Sequence, residues 1–177
     1  HGNQVAAFAV AMVELAGGGG YSSAAASLQG PGLNPWNKQY WSGGSSSGSG
    51  AAVAAGLVPF ALGSETSGSI ITPACFCGVS GLRPTYGLVS RHGAMALSWT
   101  LDKIGVLARR AEDCGMVLHA IAGGDDDDPG SAQKSFYYTP QYYENLSELK
   151  VGYAEIDFAE WPDEPLRPAF ANALAAR

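Results

Sequence analysis

At 177 residues the chain has the size of one ordinary domain. Hydrophobic residues make up 46% and charged residues only 15%, which excludes intrinsic disorder and permits a sizeable buried core. A formal net charge of −6 argues against general affinity for nucleic-acid phosphates or anionic membranes, so direct nucleic-acid and membrane partners are not expected.

In chain order, the alanine-rich stretch from Val5 to Ala16 predicts a helix that the Gly17–Gly20 run stops. Tyr21 to Ser42 mixes Ser, Gly, Pro and Asn without a period and reads as an extended surface connection, with turn chemistry at Asn34-Pro35-Trp36-Asn37. Gly43 to Gly50 contains only Gly and Ser and runs into Ala51-Ala52-Val53-Ala54-Ala55. A flexible linker does not lead into a small-residue helix, so this stretch predicts a tight loop at a helix N-terminus.

Phe60–Leu62, Tyr86–Val89 and Ile104–Leu107 each read as short buried strands bounded by Gly. Between them Gly63 to Ile70 predicts a second small-residue loop. Ala111, Cys114, Val117, Leu118 and Ile121 form one stripe, which predicts a helix over 109–123. The run Asp125–Asp128 is expected to be a solvated loop, and no metal site is expected there. Alternation over Leu149, Val151 and Tyr153 predicts a strand, and a final helix begins at Pro165. Helices interleaved with short strands point to an α/β layer architecture.

Cys75, Cys77 and Cys114 are odd in number and lack a CxxC pair, which fits a reducing compartment and small core hydrophobes. With no long apolar run and no signal-peptide pattern, a soluble, cytoplasmic protein is expected. The opening at His1 and the stop at Arg177 within a helical pattern lead to the expectation of a processed or excerpted chain.

The chemistry concentrates in the two small-residue loops. Glycine lets the backbone approach a ligand closely, consecutive backbone N–H groups can converge on an oxygen that becomes negative during acyl transfer, and serine supplies a nucleophile. The formal GxSxG at Gly44–Gly48 would make Ser46 a hydrolase nucleophile, but residues 35–42 are not strand-like, and His92 and His119 read as structural. Neither GxxxxGK[ST] nor GxGxxG in its required context is present, so phosphate binding is not supported and no cofactor is expected.

The succession of the 43–57 loop and helix, Gly63-Ser64-Glu65-Thr66-Ser67-Gly68-Ser69-Ile70, Pro73-Ala74, Phe76-Cys77-Gly78-Val79, Gly81-Leu82-Arg83-Pro84-Thr85-Tyr86-Gly87 and Leu101-Asp102-Lys103-Ile104-Gly105 resembles the amidase signature family. The likeness covers about 12–124. It implies an α/β fold with a mixed β-sheet core flanked by helices, present here only in part, so the expected organisation is one partial domain over 1–177, truncated at both ends. It also implies hydrolysis of linear, non-peptide amides by acyl transfer to serine, with a small-molecule amide as substrate.

By motif position, the resemblance implies Ser69 as nucleophile and Ser45, 24 residues earlier, as a bridging serine preceded by a cis bond. The backbone N–H groups of Thr66, Ser67, Gly68 and Ser69 would form an oxyanion hole. A serine needs a base to become a good nucleophile, and in the family that base is a lysine well upstream of the Ser-rich loop. Lys38 and Lys103 read as surface or structural charges, so the base is expected outside this chain. Self-association would run through regions outside it as well. Ser67, where many members have Gly, and Ile71-Thr72, in place of the frequent Arg, lean toward a stand-alone amidase. The alternative is the glutamine-hydrolysing subunit of a tRNA-dependent amidotransferase.

Overall fold

The computed structural model describes residues 32–140, 150, 152 and 167–175. The chain divides into two compact units, His1–Pro140 and Gln141–Arg177. In the first, helix α1 (Ser47–Ala54) leads to strand β1 (Phe60–Glu65), helix α2 (Ile71–Cys77), strands β2 (Ser80–Leu82) and β3 (Lys103–Ala108), and helix α3 (Ala111–Ile121); the second contains helix α4 (Arg167–Ala175). The 5–16 helix lies outside the described residues, as does most of the 149–153 strand.

The strands pair in the order β1-β3-β2, both pairings antiparallel. β3 is the centre, with all of Ile104 to Ala108 buried, because helices cover both of its faces. Ile104, Val106 and Ala108 pack with Leu62, Cys114 and Leu118 on the α3 side. Leu107, pointing the other way by strand alternation, packs with Val53 of α1 and with Ile70 and Ala74. The result is an α/β arrangement in which α1 and α2 lie on one face of a small sheet and α3 on the other. Among the described residues no helix is long and apolar enough to cross a membrane.

α1 needs no large side chains because Ser47, Gly50 and Val53, three residues apart, form its buried line. α2 ends where Gly78 turns left-handed at φ 66° and the Val79 N–H closes on the Ala74 carbonyl at 2.9 Å. The α3 stripe is realised over Ala111–Ile121.

Five expectations are corrected. Of the Gly43–Gly50 stretch only 43–46 is loop, because Ser47 to Gly50 form the first turn of α1, where their small size lets the helix bury Ser47, Ser49 and Gly50. Residues 63–65 are not loop: the β1 ladder runs on through Gly63↔Gly105 and Ser64↔Ile104 to Glu65↔Lys103, since backbone pairing does not depend on the size of the side chains. Tyr86–Val89 is a turn, closed by the Leu88 N–H on the Thr85 carbonyl at 3.1 Å; only Val89 makes an isolated bridge, to Ala122. Asp128 of the acidic run is 5% exposed, because the Arg91 guanidinium grips both of its oxygens at 2.9 and 3.1 Å. Asp125 accepts a 2.5 Å hydrogen bond from the Ser90 hydroxyl, leaving Asp126 and Asp127 exposed. Finally, Cys77 and Cys114 are core residues but Cys75 is exposed; on α2 the buried positions are Pro73, Ala74 and Cys77, and Cys75 points away from them.

Candidate active site

The two serine loops meet at the ends of α1 and β1. The Gly44–Ser45 peptide is cis. Immediately before it, Gly43 has φ +85°, and a Cβ there would lie 2.4 Å from Pro73 Cα, so only glycine lets this loop lie on the backbone of α2. Just after it, the Ser46 N–H donates to the Ser69 carbonyl at 3.2 Å. That bond brings the Ser45 loop against the residue named as nucleophile.

Ser46 itself is fully buried. Its hydroxyl donates to the Ser64 carbonyl and accepts from the Ser64 N–H, both at 3.2 Å. This occupies the hydroxyl as a pin between loop and strand, which counts against the GxSxG reading. Gly63 makes room for the pin, as a Cβ there would fall 2.7 Å from Ser46 Oγ. Ser49 anchors the next turn by donating to the Leu62 carbonyl at 2.6 Å.

Ser69 is 4% exposed and Ser45 is half-buried. Thr66, Ser67 and Gly68 form the bend between β1 and Ser69, with Ser67 exposed. Gly68 has φ +98°, and its carbonyl accepts the Thr72 N–H at 2.7 Å. In a trans peptide the N–H points opposite to the C=O, so the Ser69 N–H is directed away from α2.

Sequence reading missed the two carboxylates that shape this bend. Glu65 is 1% exposed, and one of its oxygens accepts from the N–H groups of Ile70 and Ile71, each at 2.9 Å. Arg83 lies 3.7 Å from its other oxygen. Asp102, 9% exposed, accepts the Thr66 hydroxyl and the N–H groups of Leu97 and Ser98 at 2.7 and 2.8 Å. Burial pushes the Asp102 carboxyl up, but the Thr66 hydroxyl, the two backbone N–H groups and the Arg91 charge outweigh it and hold it below its ordinary value. An acidic residue inside a run of small ones, as in Gly63–Gly68, was the available signal, since acids are buried almost only when paired.

Lys38, Lys134 and Lys150 are exposed. The Lys103 ammonium donates to the carbonyls of Thr66, at 3.3 Å, and Leu101, the structural placement expected of it. His119 Nδ1 lies 2.9 Å from the Phe136 carbonyl. Among the described residues no group of three or more His, Cys, Asp or Glu is placed to hold a metal. A small apolar pocket lined by Ser64, Arg91, Met95, Trp99, Asp102 and Ile104 adjoins the bend; Ser45 and Ser69 do not line it.

The sequence model of the Amidase family matches residues 9–176. A glutamyl-tRNA(Gln) amidotransferase subunit of Legionella pneumophila (strain Paris) is 44% identical over 142 residues, covering 80% of this chain and 29% of the relative. The protein of the same name from Geobacillus kaustophilus (strain HTA426) is 50% identical over 146 residues, covering 80% and 30%. Among solved structures, native peptide amidase from Stenotrophomonas maltophilia is 48% identical with a TM-score of 0.58, covering 62% of this chain and 22% of that one. The glutamyl-tRNA(Gln) amidotransferase subunit from Thermotoga maritima is 46% identical with a TM-score of 0.57, covering 58% and 23%. The chain thus spans less than a third of the length of these relatives. A match over nearly the whole sequence, carried by identities above 40% and by a shared α/β fold, establishes that the chain belongs to the amidase family.

Proposed function

We propose that this chain carries the serine half of an amide hydrolase acting by acyl transfer on linear, non-peptide amides. Ser69 Oγ attacks the amide carbon as its proton passes to Ser45 Oγ, and the Ser45 proton passes to the base. The N–H groups of Thr66, Ser67, Gly68 and Ser69 bind the oxyanion. Collapse expels the amine, which takes the proton back through Ser45, and water then cleaves the Ser69 ester. The base is a lysine from sequence beyond these 177 residues, a reading supported by the exposure of Lys38 and by the carbonyl partners of Lys103.

The observation that carries the proposal is the hydrogen bond from the Ser46 N–H to the Ser69 carbonyl, which keeps the Ser45 loop against Ser69. A positioned nucleophile and base act together, so removing either forfeits most of the acceleration. In the full-length protein, Ser69→Ala is expected to reduce hydrolysis of a linear primary amide by at least about 10³-fold. A fluorophosphonate is expected to label Ser69 and not Ser46. Retained turnover in Ser69→Ala, or an adduct on Ser46, overturns the reading. The free thiols of Cys75, Cys77 and Cys114 support a cytoplasmic setting.

A second reading is favoured by the names of the curated relatives: a glutamine-hydrolysing subunit that passes ammonia to a partner. Glutamine-dependent ammonia release, together with co-purification of a partner protein, would select it over the stand-alone hydrolase.

A further inference from the structure

We propose that Asp102 and Lys103 are positioning residues that set the orientation of the Thr66–Ser67 peptide beside Ser69, an inference that rests on the acyl-transfer reading above. The β1–β3 register places them. Glu65, the last residue of β1, pairs with Lys103, the first residue of β3, so Asp102 and Lys103 stand across from the point where the chain leaves the sheet to form the bend.

They grip Thr66 at two places. The Asp102 carboxylate accepts the Thr66 hydroxyl while its other oxygen is held by the N–H groups of Leu97 and Ser98 at 2.7 and 2.8 Å. The Lys103 ammonium, itself tied to the Leu101 carbonyl, donates to the Thr66 carbonyl at 3.3 Å. Fixing the hydroxyl limits rotation of Thr66, and fixing the carbonyl sets the plane of the next peptide. Because that peptide is trans, a Thr66 carbonyl held toward Lys103 turns the Ser67 N–H the opposite way.

A peptide flip would present a carbonyl oxygen where the oxyanion reading requires a donor. The only motion this bend needs for such a flip is rotation about Thr66 ψ and Ser67 φ, and the two grips oppose the first of these directly. Glu65 holds the far end of the bend through Ile70 and Ile71, while Asp102 and Lys103 hold its near end at Thr66. A misoriented donor affects the transition state and not the bound ground state, so the signature is a loss in kcat at nearly constant KM.

The test uses the full-length protein and hydrolysis of hexanamide, with Ser69→Ala as the control for the underlying reading. Lys103→Met and Thr66→Val are each expected to lower kcat by about 10- to 100-fold with KM within about threefold. Lys103→Arg and Thr66→Ser, which keep the cation and the hydroxyl, are expected to restore most of the loss. Thr66→Val is isosteric at a half-buried position and is the deciding variant. If it keeps full kcat while Ser69→Ala is inactive, the positioning inference fails and the acyl-transfer reading stands. If wild type does not turn over the amide, or Ser69→Ala does, both fail. A loss in Thr66→Val that Thr66→Ser shares equally also overturns the inference.

Discussion

Individual charges in this chain are decided by their neighbours rather than by their run in the sequence. Asp128 accepts from the Arg91 guanidinium, the Arg91 N–H and the Gly130 N–H, and the Arg91 guanidinium also lies 4.5 Å over the Tyr86 ring. The hydrogen bond from Arg91 is the main reason the Asp128 carboxyl falls from 3.8 to about 2. A carboxyl depressed by folding stabilises the native state above its unfolded value and loses that contribution as pH falls through its folded value. Thermal unfolding is therefore expected to show up to about 2 kcal/mol of stability disappearing between pH 4 and pH 2, and Asp128→Asn to flatten that loss. A wild-type curve that is flat across this window contradicts the pairing. Glu65→Ala leaves the N–H groups of Ile70 and Ile71 without their acceptor, and a cost of about 2 to 4 kcal/mol is expected in denaturant unfolding. A value under about 0.5 kcal/mol would mean that water replaces the carboxylate at no cost.

Between elements, the fit of α1 on β1 depends on absent side chains. A Cβ at Gly63 would meet Ser46 Oγ at 2.7 Å and Leu107 Cδ1 at 3.0 Å, so Gly63→Ala is expected to cost about 1 to 3 kcal/mol by overpacking. Removing the Ser46 hydroxyl takes away both the nearest clash and the pin to Ser64. The double variant Gly63→Ala with Ser46→Ala is accordingly expected to lose less than the sum of the two singles, and strict additivity would show that the two do not share one contact. The β1 strand also shows where pattern reading stops. Phe60–Leu62 was legible from its apolar side chains, whereas Gly63, Ser64 and Glu65 have turn composition and join the ladder only because β3 lies alongside.

For the molecule as a whole, stability depends on β3 being buried from both sides. Leu107 is fully buried among Val53, Ile70 and Ala74, directly under the region where the serine loops meet. Leu107→Ala is expected to cost about 2 to 5 kcal/mol. An unfolding midpoint unchanged within error would mean that the α1–α2 face is not part of the core. The motif succession and the stripe of α3 were readable in the amino-acid order, because a helix period and a dense local motif are properties of neighbouring residues. The two small-residue stretches were visible in the same way, but their outer halves join α1 and β1 in the fold, and Ser45 and Ser69 were named within them by resemblance. What the order could not disclose was contact between distant segments: Asp128 buried under Arg91, Tyr86–Val89 bent into a turn, and Asp102 and Lys103 facing Thr66. Those partners stand about 36 residues apart, and only the folded sheet brings them within hydrogen-bond distance. The sequence alone thus determined the family and the α/β class, while the tertiary structure decided where each serine loop gives way to helix or strand, which charges are buried and what holds each loop in place, since burial and pairing are properties of the assembled chain.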